Sequence, residues 1–273
     1  MKFKNLSSNE EANKWVASSI AESESSYFMP KSYLLGSVAV DIGANVGGFC
    51  ANAHNWFDTI YAFEPLRENY LVLEQVLKQL NISNVEIYNN AIYSESNKEL
   101  ILKNNKSNIS GDVTCIQTEE LCDIHRDDFV DLEQKCETIS LDDVFNRLEI
   151  DVIDYLKMDC EGSEYEILEN FSDFDKIYLM VVEVHGYYGE KRKTDLLRML
   201  SEHFYMHVIT EKDDGPIDMK EMIKSAQENF NIDETKDISN YFCINKKAYQ
   251  PLLDEDGPRR ISATPIYNKL SLK

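Results

Sequence analysis

Apolar positions along the chain follow two rhythms. Near the start, Ser8-Asn9-Glu10-Glu11 has the form of a capping box, and Ala12, Trp15, Val16 and Ile20 follow at helical spacing, which predicts an amphipathic helix. A loop with Ser23, Ser25, Ser26 and Pro30 ends it. Short apolar runs and longer helical patterns then take turns: a strand at 38–42, a helix at 47–56, a strand at 59–63, a helix at 66–80 and a strand at 85–88. The second helix carries a stripe of Leu66, Tyr70, Leu73, Val76, Leu77 and Leu80. Residues 94–139 are polar and less regular, with short strand candidates at 100–102 and 113–116. Ser140-Leu141-Asp142-Asp143 opens a short helix; a strand at 152–158, a helix at 164–168 and an apolar strand at 177–184 follow. A helix at 195–202 leads to strands at 205–209 and 241–244, separated by an acidic insertion, 211–240, with a helix at 219–230.

This alternation predicts an α/β fold with a mainly parallel sheet and helices on both faces. The division expected is an N-terminal helical segment (1–35), one domain (36–250) and a tail (251–273). Sheets of this kind present ligands beyond the C-terminal ends of their strands. The chemistry should therefore lie just after Ile42, Phe63, Tyr88, Met158 and Val184, and the unusual polar residues cluster there.

Composition narrows the partners. The chain has 273 residues, 43% of them hydrophobic, enough for a sizeable core. Its formal net charge of -21 repels phosphate backbones and anionic membrane surfaces, so neither nucleic acid nor membrane is expected as a partner. No run approaches the roughly 18–20 apolar residues that span a bilayer. Charge returns too early at the N-terminus for a signal peptide. The six cysteines form no C-x-x-C pair and read as buried hydrophobes in a reducing compartment, so the cytoplasm is the expected location.

The segment from Val38 to Phe49, VAVDIGANVGGF, is a buried strand, a glycine turn and a helix start. Gly43 and Gly47 permit close backbone approach and angles closed to other residues. A dinucleotide fold is the competing reading, but its fingerprint is G-x-G-x-x-G. Here the spacing is G-x-x-x-G, and Asp41 precedes the first glycine. An acid there repels a pyrophosphate and suits the cationic end of S-adenosylmethionine. Glu64, in Tyr61-Ala62-Phe63-Glu64-Pro65, ends the second strand about twenty residues past the glycines, where a carboxylate can accept both ribose hydroxyls. NAD enzymes share that feature, so Glu64 points to an adenosine ligand without choosing among them.

After the fourth strand comes Lys157-Met158-Asp159-Cys160-Glu161-Gly162-Ser163-Glu164. Asp159 is placed to stand beside a transferable methyl group, and Glu161 is intermediate. Ser163 and Glu166 match a capping box, which leaves Glu164 as a helix-start acid. Glu183 and His185 alternate to one side at the end of the fifth strand. His185 has the intrinsic pKa to take a hydroxyl proton. Asp159, Glu161, Glu183 and His185 could also hold a divalent cation such as Mg²⁺ or Mn²⁺.

The ordered set DIGANVGGF, YAFEP, NNAIYS, ISLDDVF, YLKMDCEGSEYEIL and VEVHG resembles the FkbM family of S-adenosylmethionine-dependent methyltransferases, over about residues 38–186. The resemblance implies a class I methyltransferase (Rossmann-like) sheet of seven mostly parallel strands, the last antiparallel. It implies methyl transfer to hydroxyls of small molecules or sugars. Carried over, Asp41, Gly43, Asn45 and Gly47 would line the methionine part of the donor, Glu64 its ribose, and Asn90 and Ala91 its adenine; Asp159, Glu161 and His185 would face the acceptor. The acidic insertion and the Arg259-Arg260 tail fall outside the shared pattern and leave acceptor and oligomeric state open. The expectation is thus an S-adenosylmethionine-dependent methyltransferase acting on a hydroxyl of a small-molecule or glycan acceptor. Its rivals are a non-catalytic cofactor- or partner-binding protein of the same fold and an NAD-dependent oxidoreductase.

Overall fold

Seven of the apolar segments pair into one sheet. The computed structural model describes residues 14, 16–20, 23, 36–106, 113–116, 121, 125, 127–209, 223, 224, 227 and 238–247. The Ser8 capping box, Trp15, the tail 251–273 and nearly all of the insertion 211–240 lie outside the described residues. The elements, in chain order, are β1 (Gly36–Ile42), α1 (Gly48–Ala53), β2 (Phe57–Phe63), α2 (Arg67–Gln79), β3 (Val85–Tyr88), β4 (Ala91–Tyr93), β5 (Glu99–Asn105), β6 (Val113–Thr114) and β7 (Phe129–Ser140). Then come α3 (Leu141–Leu148), β8 (Ile153–Met158), α4 (Glu164–Leu168), β9 (Ile177–His185), α5 (Glu190–His203), β10 (Phe204–Val208) and β11 (Ile238–Asn245). Residues 14 and 16–20 are helical, as the N-terminal pattern predicts, and so are 223, 224 and 227 inside the insertion; Ser23, read as loop, is helical as well.

The main sheet runs β10-β11-β9-β8-β1-β2-β3. Neighbours from β9 to β3 are parallel, and β11 is antiparallel to both β9 and β10. Strand pleating sends successive side chains to opposite faces, so two apolar layers form. Val40, Leu156 and Met180 pack into one, and Ala39, Tyr155, Leu179 and Val181 into the other. Burial on both faces is why β9 reads as a continuous apolar run. Helix α2 buries Val72, Leu73, Val76 and Leu77 on one side. Helix α3 starts as expected, the Ser140 side chain accepting from the Asp143 amide.

Residues 94–139 are more regular than their polarity suggests. They supply most of a second sheet of order β4-β7-β5-β6, in which β4 lies parallel to β7 and β5 antiparallel to it. The twelve-residue β7 is the element that the sequence reading misses. Its Asp131, Glu133, Lys135 and Glu137 alternate on the exposed face while Cys136 and Thr138 are buried, a half-buried strand in which charge masks the period. This sheet matters to function because β4 and β6 wall a cavity described below.

The buried pair Asp41–Lys157 ties the centre together. The two residues are register partners on β1 and β8. Their charged atoms lie 3.2 Å apart, and both side chains are almost wholly buried. Lys157 Nζ also donates to the Gly43 carbonyl at 2.6 Å, and Cys50 Sγ donates to Asp41. Burial pushes the Asp41 carboxyl up against the pull of Lys157. Burial alone would lower Lys157, but Asp41 and Asp159 outweigh it and raise its pKa.

Packing as well as backbone angle demands glycine at position 47. Its φ is +90°, and a Cβ there would stand 2.4 Å from Leu73 Cδ1. Gly47→Ala should therefore destabilise the fold by about 1–3 kcal/mol, read by urea unfolding, with Leu73 as the group that must move. Lys157→Met should cost about 3–5 kcal/mol by leaving Asp41 buried without its cation, and Asp41→Asn in the same chain should recover part of the loss.

Candidate active site

Gly43 and Asp159 touch where β1 and β8 end. A Cβ on Gly43 would fall 1.8 Å from the Asp159 carbonyl oxygen, and its φ is +77°, so only glycine fits. Asp159 N in turn donates to the Ile42 carbonyl at 3.1 Å. Two cavities meet at this contact. One, of about 50 Å³, is lined by Glu64, Asn90, Ala91, Thr114, Cys115 and Cys160 among others. The other, of about 230 Å³, is lined by Ser19, Ser23, Lys157, Glu183, His185 and Tyr187 among others. Gly43, Asn45, Asp159 and Glu161 line both.

Each residue expected at the site can now be placed. Glu64 is buried and accepts from Asn45 N at 2.8 Å and Leu66 N at 2.9 Å. Burial drives its pKa up to about 7, against the pull of those amides. Asn45 sits at φ +50°, and Asn69 donates to its side-chain oxygen at 3.2 Å. Asn90 donates to the Glu137 carbonyl of β7, and Ala91 begins β4. Asp41 and Gly47 line neither cavity. Asp41 meets Lys157, and through it the Gly43 turn, and accepts from Cys50 Sγ; Gly47 packs on α2. Both act on the turn from behind.

The acids after β8 and at the end of β9 gather around His185. Its Nδ1 is 3.3 Å from Glu164 Oε1, and its Nε2 is 3.3 Å from Glu161 and 3.7 Å from Glu183. The ring is almost fully buried and stacks on Tyr187 with centroids 5.2 Å apart. Burial alone would strip its proton, yet Glu164 and Glu161 outweigh burial and hold the imidazole charged, well above its ordinary range. Burial, then Asp159 and Glu161, push the Glu183 carboxyl up to about 8.

Glu164 departs most from its sequence reading. Ser163 forms no side-chain cap; it is already helical, and its hydroxyl lies 3.3 Å from Thr114 Oγ1. Glu166 pairs with Arg192 at 2.9 Å instead of reaching back. The reason is the tight turn before α4, with φ +55° at Glu161 and +98° at Gly162. That turn lets Glu164 fold back and accept from Cys160 N at 3.0 Å and Gly162 N at 3.2 Å. Glu164 is fully buried and so organises the loop that carries Asp159 and Glu161. Asp159, Glu164 and His185 bring donor atoms within 4.8 Å of one another. Both ring nitrogens nevertheless face carboxylates, so this set gives no support to the divalent cation that the sequence left open.

The N-terminal helical residues close one side of the larger cavity. Asn52 Nδ2 donates to the Ile20 carbonyl at 2.7 Å and also contacts Ser23 Oγ. Ser19 lies so close to Gly48 that a Cβ there would stand 2.4 Å from its carbonyl oxygen. Ser19, Ser23, Thr114 and Cys115 line the cavities and are not reached by motif reading, whereas Glu164 lies within the motif that follows the fourth strand. Only the apolar spacing around Val16 signals the helix that brings the first two.

Among described residues no helix is long and apolar enough to cross a membrane. No curated protein matches the chain. Solved structures do. Methyltransferase FkbM from Methylobacillus flagellatus KT is 15% identical with a TM-score of 0.43; the match covers 76% of this chain and 43% of that one, so the chain spans under half that protein's length. An rRNA methylase from Streptococcus thermophilus is 11% identical, covering 77% and 87%, with a TM-score of 0.39. TrmK of M. capricolum in complex with S-adenosylhomocysteine is 12% identical, covering 87% and 68%, with a TM-score of 0.38. The seven-stranded order with one antiparallel strand is that of the class I methyltransferase sheet, as expected. A family model described as the methyltransferase FkbM domain matches residues 41–208, more than half of the chain, and the chain belongs to that family.

Proposed function

We propose that the chain transfers a methyl group from S-adenosylmethionine to a hydroxyl of a small-molecule or glycan acceptor, in the cytoplasm. The observation that carries this reading is the pair of cavities sharing Gly43, Asn45, Asp159 and Glu161 in a chain of this family. The donor set suits the methyl donor. Glu64 is a buried carboxylate with capacity to accept from ribose hydroxyls, Asn90 and Ala91 would flank the adenine, and bare backbone at Gly43 would admit the methionine part. When bound, this group supplies an electrophilic methyl on a sulfonium.

The chain's own residues do the rest. Asp159 and Glu161, facing both cavities, favour a cationic centre between them and fix its place. Lys157 holds the Gly43 turn still. Ser19 and Ser23 help exclude water from the larger cavity. An acceptor rich in phosphate is disfavoured there, because Asp159, Glu161 and Glu183 line that cavity and Lys157 is already neutralised by Asp41.

Calorimetry with S-adenosylhomocysteine beside NAD tests the donor: binding of the former alone is expected, and binding of NAD alone overturns the reading. Glu64→Gln should weaken S-adenosylhomocysteine binding by about tenfold to a hundredfold, the scale of a hydrogen bond to a charged group. Affinity should also depend on pH. The free protein holds Glu64 protonated below about 7. Hydroxyl donors favour its ionised form, so binding should release a proton below that pH and weaken as pH falls further. Repeating the titration in buffers of different ionisation heat would reveal the released proton. A screen of hydroxylated metabolites, sugars and RNA for methyl incorporation identifies the acceptor, and labelling of RNA alone refutes the small-molecule assignment.

A further inference from the structure

Methyl transfer to a hydroxyl needs a group to take the acceptor's proton, and the four acids around His185 are not equivalent. Asp159 and Glu161 line both cavities. Glu164 lines neither, and its Oε1 takes the loop amides and faces His185 Nδ1. Glu183 lines the larger cavity alone. It sits two residues before His185 on β9, so both side chains project from the same face of the sheet. Directly across the ladder, Asn240 of β11 is its register partner and hydrogen-bonds its carboxylate.

His185 is badly placed to be the base. Glu164 occupies its inner nitrogen, and Glu161 and Glu183 face the outer one, so the ring has carboxylates at both ends. Its carbonyl is fixed as well, accepting from Tyr165 Oη at 2.6 Å. A ring so held is a fixed cation that can orient its neighbours and has no nitrogen left to accept a proton. We infer that Glu183 is the general base for the acceptor hydroxyl, and that Glu164 and His185 are positioning residues that fix where its carboxylate stands.

This inference rests on the methyl-transfer reading. In the step, the acceptor oxygen bonds to the methyl carbon while the carbon–sulfur bond breaks and leaves its electron pair on sulfur. The hydroxyl proton passes to a Glu183 carboxylate oxygen and later to solvent. The charged and titratable groups facing Glu183 are Asp159 at the end of β8, Glu161 in the loop before α4 and His185 on its own strand; Lys157 nearby is committed to Asp41. Burial does most to raise its proton affinity, the acids add to that, and His185 lowers it. A base whose affinity lies near working pH is the effective kind. A sulfonium arriving beside Asp159 would help Glu183 ionise only when the donor is in place.

The test compares Glu183→Gln, Glu183→Asp and His185→Gln with the unaltered protein, using the acceptor found by the screen. Glu183→Gln should bind S-adenosylhomocysteine within about threefold of the unaltered protein and lose transfer by about 10²–10⁴-fold, the span of general-base catalysis. Glu183→Asp should recover part of the rate. His185→Gln should keep the rise of rate with pH but move it to higher pH, because the cation beside Glu183 is gone. Independently of turnover, the ¹³C-carboxyl resonance of Glu183 in the unaltered protein should titrate near pH 8 and shift lower with donor analogue bound. Retention of more than a tenth of the rate in Glu183→Gln overturns the inference. So does a pH limb lost in His185→Gln but kept in Glu183→Gln, or a carboxyl that titrates below about 6. Failure of S-adenosylhomocysteine to bind the unaltered protein instead removes the methyl-transfer reading itself.

Discussion

Lys157 stands between two strands with three oxygens around its ammonium: the Asp41 carboxylate and the carbonyls of Ile42 and Gly43. A buried cation of this kind is tolerable only while its partners stay in place. That requirement fixes the ends of β1 and β8 relative to each other, and both loops of the site depart from those ends. Holding them together also holds Gly43 against the Asp159 carbonyl. The two cavities thus owe their common wall to an ion pair whose acid lines neither of them, while its lysine lines the larger one.

Charge in the site is arranged on two levels. Behind the turn, Asp41 and Lys157 cancel each other. In front, Asp159, Glu161 and Glu183 are set around His185, with Glu164 behind the ring. One cation among these acids leaves an excess of negative charge facing the larger cavity, which suits a group that arrives carrying a sulfonium. The positive φ at Glu161 and Gly162 is the backbone cost of bringing those acids together, and Glu164 offsets it by taking the amides that the turn exposes.

Much of the fold could be read from the chain. Strands buried on both faces, such as β8 and β9, announce themselves as apolar runs, and the Ser140 cap marks the start of α3 directly. The second sheet was hidden because β7 buries one face only and carries a charge at every other residue from Asp131 to Glu137. At the candidate site, the polar residues closing the ends of β1, β2, β8 and β9 could be grouped from sequence because parallel topology brings those strand ends to one edge. The roles were less so. Asp41, read as a ligand contact, is also the buried partner of Lys157, and Glu164 is the expected helix-start acid but in addition folds back onto the loop amides. Both outcomes depend on which buried group needs a partner, a fact of three-dimensional packing that spacing does not carry.

The contact between Gly43 and the Asp159 carbonyl has a consequence for how this protein can diversify. A side chain at position 43 has no room unless the chain at 159 retreats, and a retreat there would carry Asp159 and Glu161 away from both cavities. The two loops are more than a hundred residues apart in sequence, yet neither can drift alone. Variation in acceptor preference would therefore have to come from elsewhere: from the N-terminal helix over the larger cavity, or from the second sheet walling the smaller one. Those two appended parts are free to change while the turn between them stays fixed.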